Sequence, residues 1–182
     1  RGQPGAFAEG VFVVTQHLAL AQETALKSCV LLKNNGILPL RKERYQTLGV
    51  IGPNANSRLA LTGNYHGTSS RYITVLEGIQ DACGDDVRVL YAPGDAVILV
   101  LGLDELLEGE APDDGNSMEA GDKPDLLLPD VQRELLDRIL DLHKPTVVVL
   151  IAGSSIDLSA AQEKADAVFL GQHHLCAISG GD

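Results

Sequence analysis

Basic residues are scarce in this chain: 14 Lys and Arg stand against 25 Asp and Glu, giving a net charge of −11 over 182 residues and a pI near 4.7. Nucleic-acid binding needs clustered cations to neutralise phosphates, so that class is excluded, and an anionic membrane surface would repel the chain. Long apolar runs are missing as well. The longest, residues 146–152, is strand-sized and far short of the ~20 residues that cross a bilayer. The first ten residues, RGQPGAFAEG, hold neither the charged nor the apolar part of a signal peptide and do not begin with Met, which reads as a mature segment or a fragment and leaves the compartment open. Cysteine is limited to Cys29, Cys83 and Cys176, an odd number at wide spacing that suits neither a disulfide framework nor a paired metal motif; small buried hydrophobes are the plainer reading.

What is present is a 45% apolar composition with a mean hydropathy of +0.06, enough for one soluble domain with a real core. Residues 1–14 read as a linker and 15–182 as the domain. From Thr15 the pattern is helical, with Leu18, Ala21, Ala25 and Cys29 at three- and four-residue steps, and it runs directly into the apolar CVLLKN. Asn34, Asn35 and Gly36 mark a turn, and residues 37–40 form a short extended piece. Thr74 and Glu77 make a capping-box signature that opens a helix to about Ala82. Buried strands are expected at 47–51, 87–91, 96–101, 146–152 and 167–170. Val131, Leu135, Leu136, Ile139 and Leu142 line one face of a helix ending near His143 and Pro145, and a short helix surrounds residues 159–164. Strands apolar throughout and alternating with helices predict an α/β fold, a mostly parallel sheet covered by helices on both faces.

One junction breaks the scheme. Strands 87–91 and 96–101 are separated by four residues, whereas parallel neighbours need a crossover of about a dozen or more. Either they form a hairpin or a segment is missing between Gly94 and Asp95. Loss is the preferred reading, because both strands are apolar on both faces.

Beyond strand 96–101 the chain enters a loop dense in acid: Asp104, Glu105, Glu108, Glu110, Asp113, Asp114, Glu119, Asp122, Asp125 and Asp130, with Lys123 the lone base. A carboxyl at a strand's exit is where an α/β protein places an acid catalyst, and crowded negative charge raises carboxyl pKa values, keeping a proton available near neutral pH. The bland counterpart is a solvated charge run.

Five strings taken in one order, HLALAQETALKSCVLLKNNGILPL, GVIGPNANSRLALTGNYHGTSSRYITVLEGI, AVILVLGLDELLEGE, GDKPDLLLPDVQRELL and KPTVVVLIAGSSIDL, resemble the C-terminal α/β-sandwich domain of glycoside hydrolase family 3, in its β-xylosidase-like branch. The resemblance implies an exo-acting retaining enzyme of two domains. An N-terminal (β/α)8 barrel, absent here, supplies an Asp nucleophile, and the present domain supplies the acid/base Glu. Two carboxyls about 5–5.5 Å apart are needed, one to attack carbon and one to protonate the departing oxygen and later activate water. Matching the family's loop, whose Glu lies a few residues before a GDK or DR-like element, implies Glu110 as acid/base, with Glu108 as the alternative. Residues 111–120 lengthen that loop. The GNYHG segment implies Tyr65 beside the leaving-group sugar, stacking on its apolar face; an ordinary aromatic closing a glycine-rich turn is the competing reading. The substrate implied is a β-linked xylo- or gluco-oligosaccharide, with an arabinofuranosidase also open, and no cofactor is implied.

Other features are weaker. IGPNAN lacks the three-glycine dinucleotide pattern, PDDGNS lacks EF-hand spacing, and His173, His174 and Cys176 match no common zinc pattern, so no metal site is expected. The tail, 171–182, departs from the family, and with the junction near 94–95 it makes the domain look incomplete. The alternative function is a non-catalytic truncated domain or a carbohydrate-binding remnant. A more distant rival is a flavodoxin-like domain with a ligand beside residues 52–56.

Overall fold

The computed structural model describes residues 15–62, 71–108 and 123–172. The chain forms helix α1 (Thr15–Ser28), strand β1 (Val30–Asn34), strand β2 (Thr47–Ile51), helix α2 (Val75–Cys83), strands β3 (Arg88–Leu90) and β4 (Ala96–Gly102), helix α3 (Asp130–Leu140), strand β5 (Thr146–Ile151), helix α4 (Ser159–Lys164) and strand β6 (Ala167–Gly171). The six strands make one sheet in the order β1-β6-β5-β4-β2-β3. Every neighbouring pair is parallel except β1 with β6. The stretch VLLKN after the first helix is thus an antiparallel edge strand. Among the described side chains of α1, Leu18, Ala21 and Ala25 are half-buried, and Cys29 just past its end continues the expected stripe; burial raises the pKa of the Cys29 thiol.

β4 is buried at all seven positions, as a central parallel strand covered on both faces must be. One face packs Val97, Leu99, Leu101, Val148, Leu150 and Val168 against Leu136, Ile139 and Leu140 of α3 and Ala161 of α4. The other packs Leu48, Val50, Ala96, Ile98 and Val100 against Cys83 and the half-buried Val75, Leu76 and Ile79 of α2, with Ile37, Leu38, Leu40 and Tyr45 closing its rim. The capping box opens α2 as expected: the Thr74 hydroxyl accepts from the Glu77 N–H and the Glu77 carboxylate from the Thr74 N–H.

The stripe on α3 holds at its centre, where Leu136 and Ile139 are buried and Leu135 is half-buried against the core, and fails at its ends. Val131 and Leu142 are exposed, Gln132 and Leu140 are buried, and the helix stops at Leu140, with His143 at a positive φ of 53° beyond it. Burial follows the 132, 136, 139, 140 line because the sheet needs only one narrow ridge there, and the buried glutamine is answered by backbone partners described below.

At the junction, β3 and β4 do not pair: each runs parallel with β2 and they flank it on opposite sides. The hairpin, the less favoured of the two readings of this junction, does not form. Nor is β3 covered throughout, since Arg88 is exposed and Val89 and Leu90 are half-buried. The chain returns from β3 to β4 by a five-residue strap, 91–95, laid across β2 at Gly49. A Cβ on Gly49 would lie 2.5 Å from the Ala92 carbonyl oxygen and 3.2 Å from Pro93 Cα, so only glycine lets the strap pass. Leu48 and Val50 face α2, which puts Gly49 and the strap on the α3 and α4 side. That is the face a right-handed crossover from β3 to β4 should occupy, because it moves across the sheet opposite to the β2-α2-β3 unit.

Candidate active site

Setting β1 aside, the parallel strands follow the 2-1-3-4-5 order, and their direction of winding reverses between β2 and β4. The crevice beyond the carboxyl ends of the strands at such a reversal is where open α/β sheets take ligands. The acid-rich loop departs from β4 at this point.

Its root is built residue by residue. Gly102 ends β4 at φ 141°, and a Cβ there would stand 1.8 Å from the Ile151 carbonyl oxygen, so the sharp exit against β5 demands glycine. Gln132, buried in the first turn of α3, accepts the Gly102 N–H at 2.9 Å and donates to the Gly102 carbonyl at 2.7 Å. The next residue is held from two sides: Leu103 N–H donates to the Ile151 carbonyl at 2.9 Å, and the buried Asn54 carboxamide donates to the Leu103 carbonyl at 3.3 Å. Asp104 then winds a single turn. Its side chain accepts the Leu106 N–H and its carbonyl accepts the N–H groups of Leu107 and Glu108. That turn brings Glu108 to the end of β5, where its Oε2 accepts the Gly153 N–H at 2.9 Å.

The returning limb stands on the same ground. Lys123 donates to the Ser155 carbonyl, and the Asp157 N–H donates to the Leu126 carbonyl at 2.7 Å. Both feet of loop 109–122 therefore rest on the segment Gly153 to Asp157 that follows β5.

Of the residues read from sequence, Glu108 is at this base, while Glu110 and Tyr65 lie outside the described residues, as do His173, His174 and Cys176. Among the described residues no three His, Cys, Asp or Glu side chains gather in a way that could hold a metal ion, and no helix is long and apolar enough to cross a membrane. Within residues 52–56, Gly52, Asn54 and Ala55 are buried while Pro53 and Asn56 are exposed, and Leu76 N–H donates to the Ala55 carbonyl. Sequence reading missed Gln132, Asn54 and Gly153. The one usable signal was that Gln132 sits four and seven residues before Leu136 and Ile139, on the buried line of α3.

Comparison with known proteins agrees with this architecture. Residues 29–176 match the glycosyl hydrolase family 3 C-terminal domain. β-D-xylosidase 3 of Arabidopsis thaliana is 37% identical over 161 residues, which covers 79% of this chain and 20% of that protein. The β-xylosidase of Formosa agariphila is 34% identical over 176 residues, 81% of this chain and 23% of that protein. A solved GH3 exo-β-xylosidase (XlnD), in complex with a xylobiose aziridine activity-based probe, superposes with a TM-score of 0.74 at 28% identity, covering 89% of this chain and 22% of that one. The chain thus spans about a fifth of the length of the curated relatives it matches. The Arabidopsis alignment holds about 144 residues of this chain (79% of 182) in 161 positions, so about 17 positions have no counterpart here. By sequence and by fold, the chain belongs to glycoside hydrolase family 3, as that family's C-terminal domain.

Proposed function

We propose that this chain is the acid/base-bearing domain of an exo-acting retaining β-xylosidase, with Glu110 as the proton donor and Glu108 as the alternative. The nucleophile belongs to a (β/α)8 barrel module that this chain does not hold. In the first step that nucleophile attacks the anomeric carbon as the glycosidic C–O bond breaks, and the carboxyl of the loop gives its proton to the departing oxygen. In the second the same carboxylate takes a proton from water, which displaces the enzyme from the sugar. Tyr65 would lie beside the leaving-group sugar.

One observation carries the reading: the acidic loop leaves the sheet at the topological reversal, and both its feet stand on residues 153–157. A solvated charge run has no need of anchors at both its ends. The xylosidase names among the relatives support pentose substrates. Because the two carboxyls act as one unit, the chain alone is expected to be inactive.

The domain reading is residues 15–182 behind a linker of 1–14, shortened near residues 94–95 and altered over 171–182. Its shortness near the strap favours a second reading, a non-catalytic truncated domain or carbohydrate-binding remnant. The separating experiment assays 4-nitrophenyl β-xyloside with the chain alone, then mixed with a family 3 barrel module, then mixed after Glu110→Gln. Release in the mixture that is lost with Glu110→Gln supports the acid/base reading. No release in any arm supports the remnant.

A further inference from the structure

We infer that Gln132 is a positioning residue for the acid loop, acting as a one-residue surrogate strand that fixes where the loop leaves β4; this rests on the acid/base reading above. β2 pairs with β4 only as far as Leu99, while β4 continues for three residues. On the β5 side the ladder at this level is made by Leu103 N–H to the Ile151 carbonyl, so the N–H and carbonyl of Gly102 point the other way, where no strand remains. The Gln132 carboxamide meets both, at 2.9 and 2.7 Å, with the donor and acceptor pattern a neighbouring strand would offer.

The residue so clamped is also the residue that turns. Gly102 sits at φ 141° against the Ile151 carbonyl, and the direction of its peptide sets the path of Leu103, Asp104 and the turn that follows. A polar side chain on the buried ridge of α3, in line with Leu136, Ile139 and Leu140, is accounted for by these two bonds to Gly102. Replacing Gln132 by methionine keeps volume and burial while leaving both Gly102 groups without partners. The exit then has freedom to swing, and a proton donor carried beyond it is misplaced.

Misplacement of the acid has a signature that general destabilisation lacks. Departure of a sugar alkoxide needs protonation, and departure of dinitrophenolate does not. With the full chain completed by a barrel module, Gln132→Met is expected to lower kcat/KM on xylobiose by at least ~10-fold more than kcat/KM on 2,4-dinitrophenyl β-xyloside, because kcat/KM reads the step in which the leaving group departs, whereas kcat also includes the base-assisted hydrolysis common to both substrates. Gln132→Glu keeps the acceptor and regains the donor only when protonated, so its xylobiose activity should recover toward the acid side of the profile. Equal losses on both substrates, or none, would overturn the inference. If Glu110→Gln and Glu108→Gln also show no leaving-group dependence, the acid/base reading falls and takes this inference with it; if they show it and Gln132→Met does not, only the inference falls. Should the methionine variant not fold, hydrogen exchange of the Gly102 amide in the unmutated chain decides: slow exchange supports the clamp, and exchange as fast as in an open loop rejects it.

Discussion

Oε2 of Glu108 accepts the backbone N–H of Gly153 at 2.9 Å, tying the outgoing limb of the acid loop to the residue just beyond β5. A carboxylate that holds a backbone amide of its own domain is spent on anchoring, whereas a general acid must turn toward a sugar carried by another module. Glu108→Gln retains an oxygen for Gly153 and is expected to cost less than ~10-fold in kcat on xylobiose, against ~10²- to 10⁴-fold for Glu110→Gln. Steady-state rates of the two variants, in the chain completed by a barrel module, make the comparison. The reverse ranking would move the proton to Glu108.

Acid should unfold this domain through a few identifiable carboxylates. Asp95 accepts the N–H of Thr47 at 2.8 Å and of Gln46 at 3.0 Å, and these bonds hold its pKa below the ordinary 3.8. The backbone and hydroxyl of Thr74 do the same for Glu77, ordinarily 4.5, and the hydroxyl and N–H of Ser159 for Asp157. In each case the folded state binds protons less readily than the unfolded chain. The stability they contribute is therefore complete above the ordinary values and falls away as pH drops through 4.5 and 3.8 toward the lower native ones. Urea midpoints measured from neutral pH down to about 3 should decline over that window, and Asp95→Asn, which does not titrate, should make the decline shallower. A midpoint that holds steady or rises on acidification would contradict the assignment.

The cap of α2 offers a local test of stability. Thr74 is buried, its hydroxyl accepting the Glu77 N–H at 3.2 Å and donating to the Asn56 carboxamide oxygen at 3.0 Å, so it joins the helix to the loop after β2. Thr74→Ala should cost about 1–2 kcal/mol in urea unfolding, while Thr74→Ser keeps the oxygen and should cost well under half of that. Equal effects of the two would mean that the methyl group matters more than the cap.

Thr74 and Glu77 were readable in advance because a capping box is local: both partners lie within four residues. The same holds for the α1 stripe and for β4, whose unbroken apolar run has no use except burial on both faces. What was not readable depends on partners far along the chain. Residues 30–34 look like a helix's continuation until Leu170, Phe169 and Val168 supply the opposing edge. Gln132 looks like one more polar residue of an amphipathic helix until Gly102, thirty positions earlier, is found without a strand beside it. The acid loop could be located from sequence by its charge and its place after a strand. Its footing on residues 153–157 could not, since that depends on which strand lies next to β4.

The strap over β2 makes the sharpest prediction about the chain's shortness. Residues 91–95 do the work of a crossover by lying directly on Gly49, held at one end by Lys144 on the Gly94 carbonyl and by Asp95 on Gln46 and Thr47. Tyr91 stays largely exposed, and Ile51 and Leu90 on that face are half-buried where a helix would cover them. Gly49→Ala places a methyl 2.5 Å from the Ala92 carbonyl oxygen, a contact that only backbone movement relieves, and should cost about 1–3 kcal/mol in this chain. If the strap stands in for a lost segment, inserting the matching stretch of a β-xylosidase relative between Gly94 and Asp95 should raise the urea midpoint, because it covers Ile51 and Leu90. It should also shrink the penalty of Gly49→Ala, since the backbone no longer has to press on β2. An insertion that lowers stability and leaves the alanine penalty unchanged would mean that the short connection is this domain's own design.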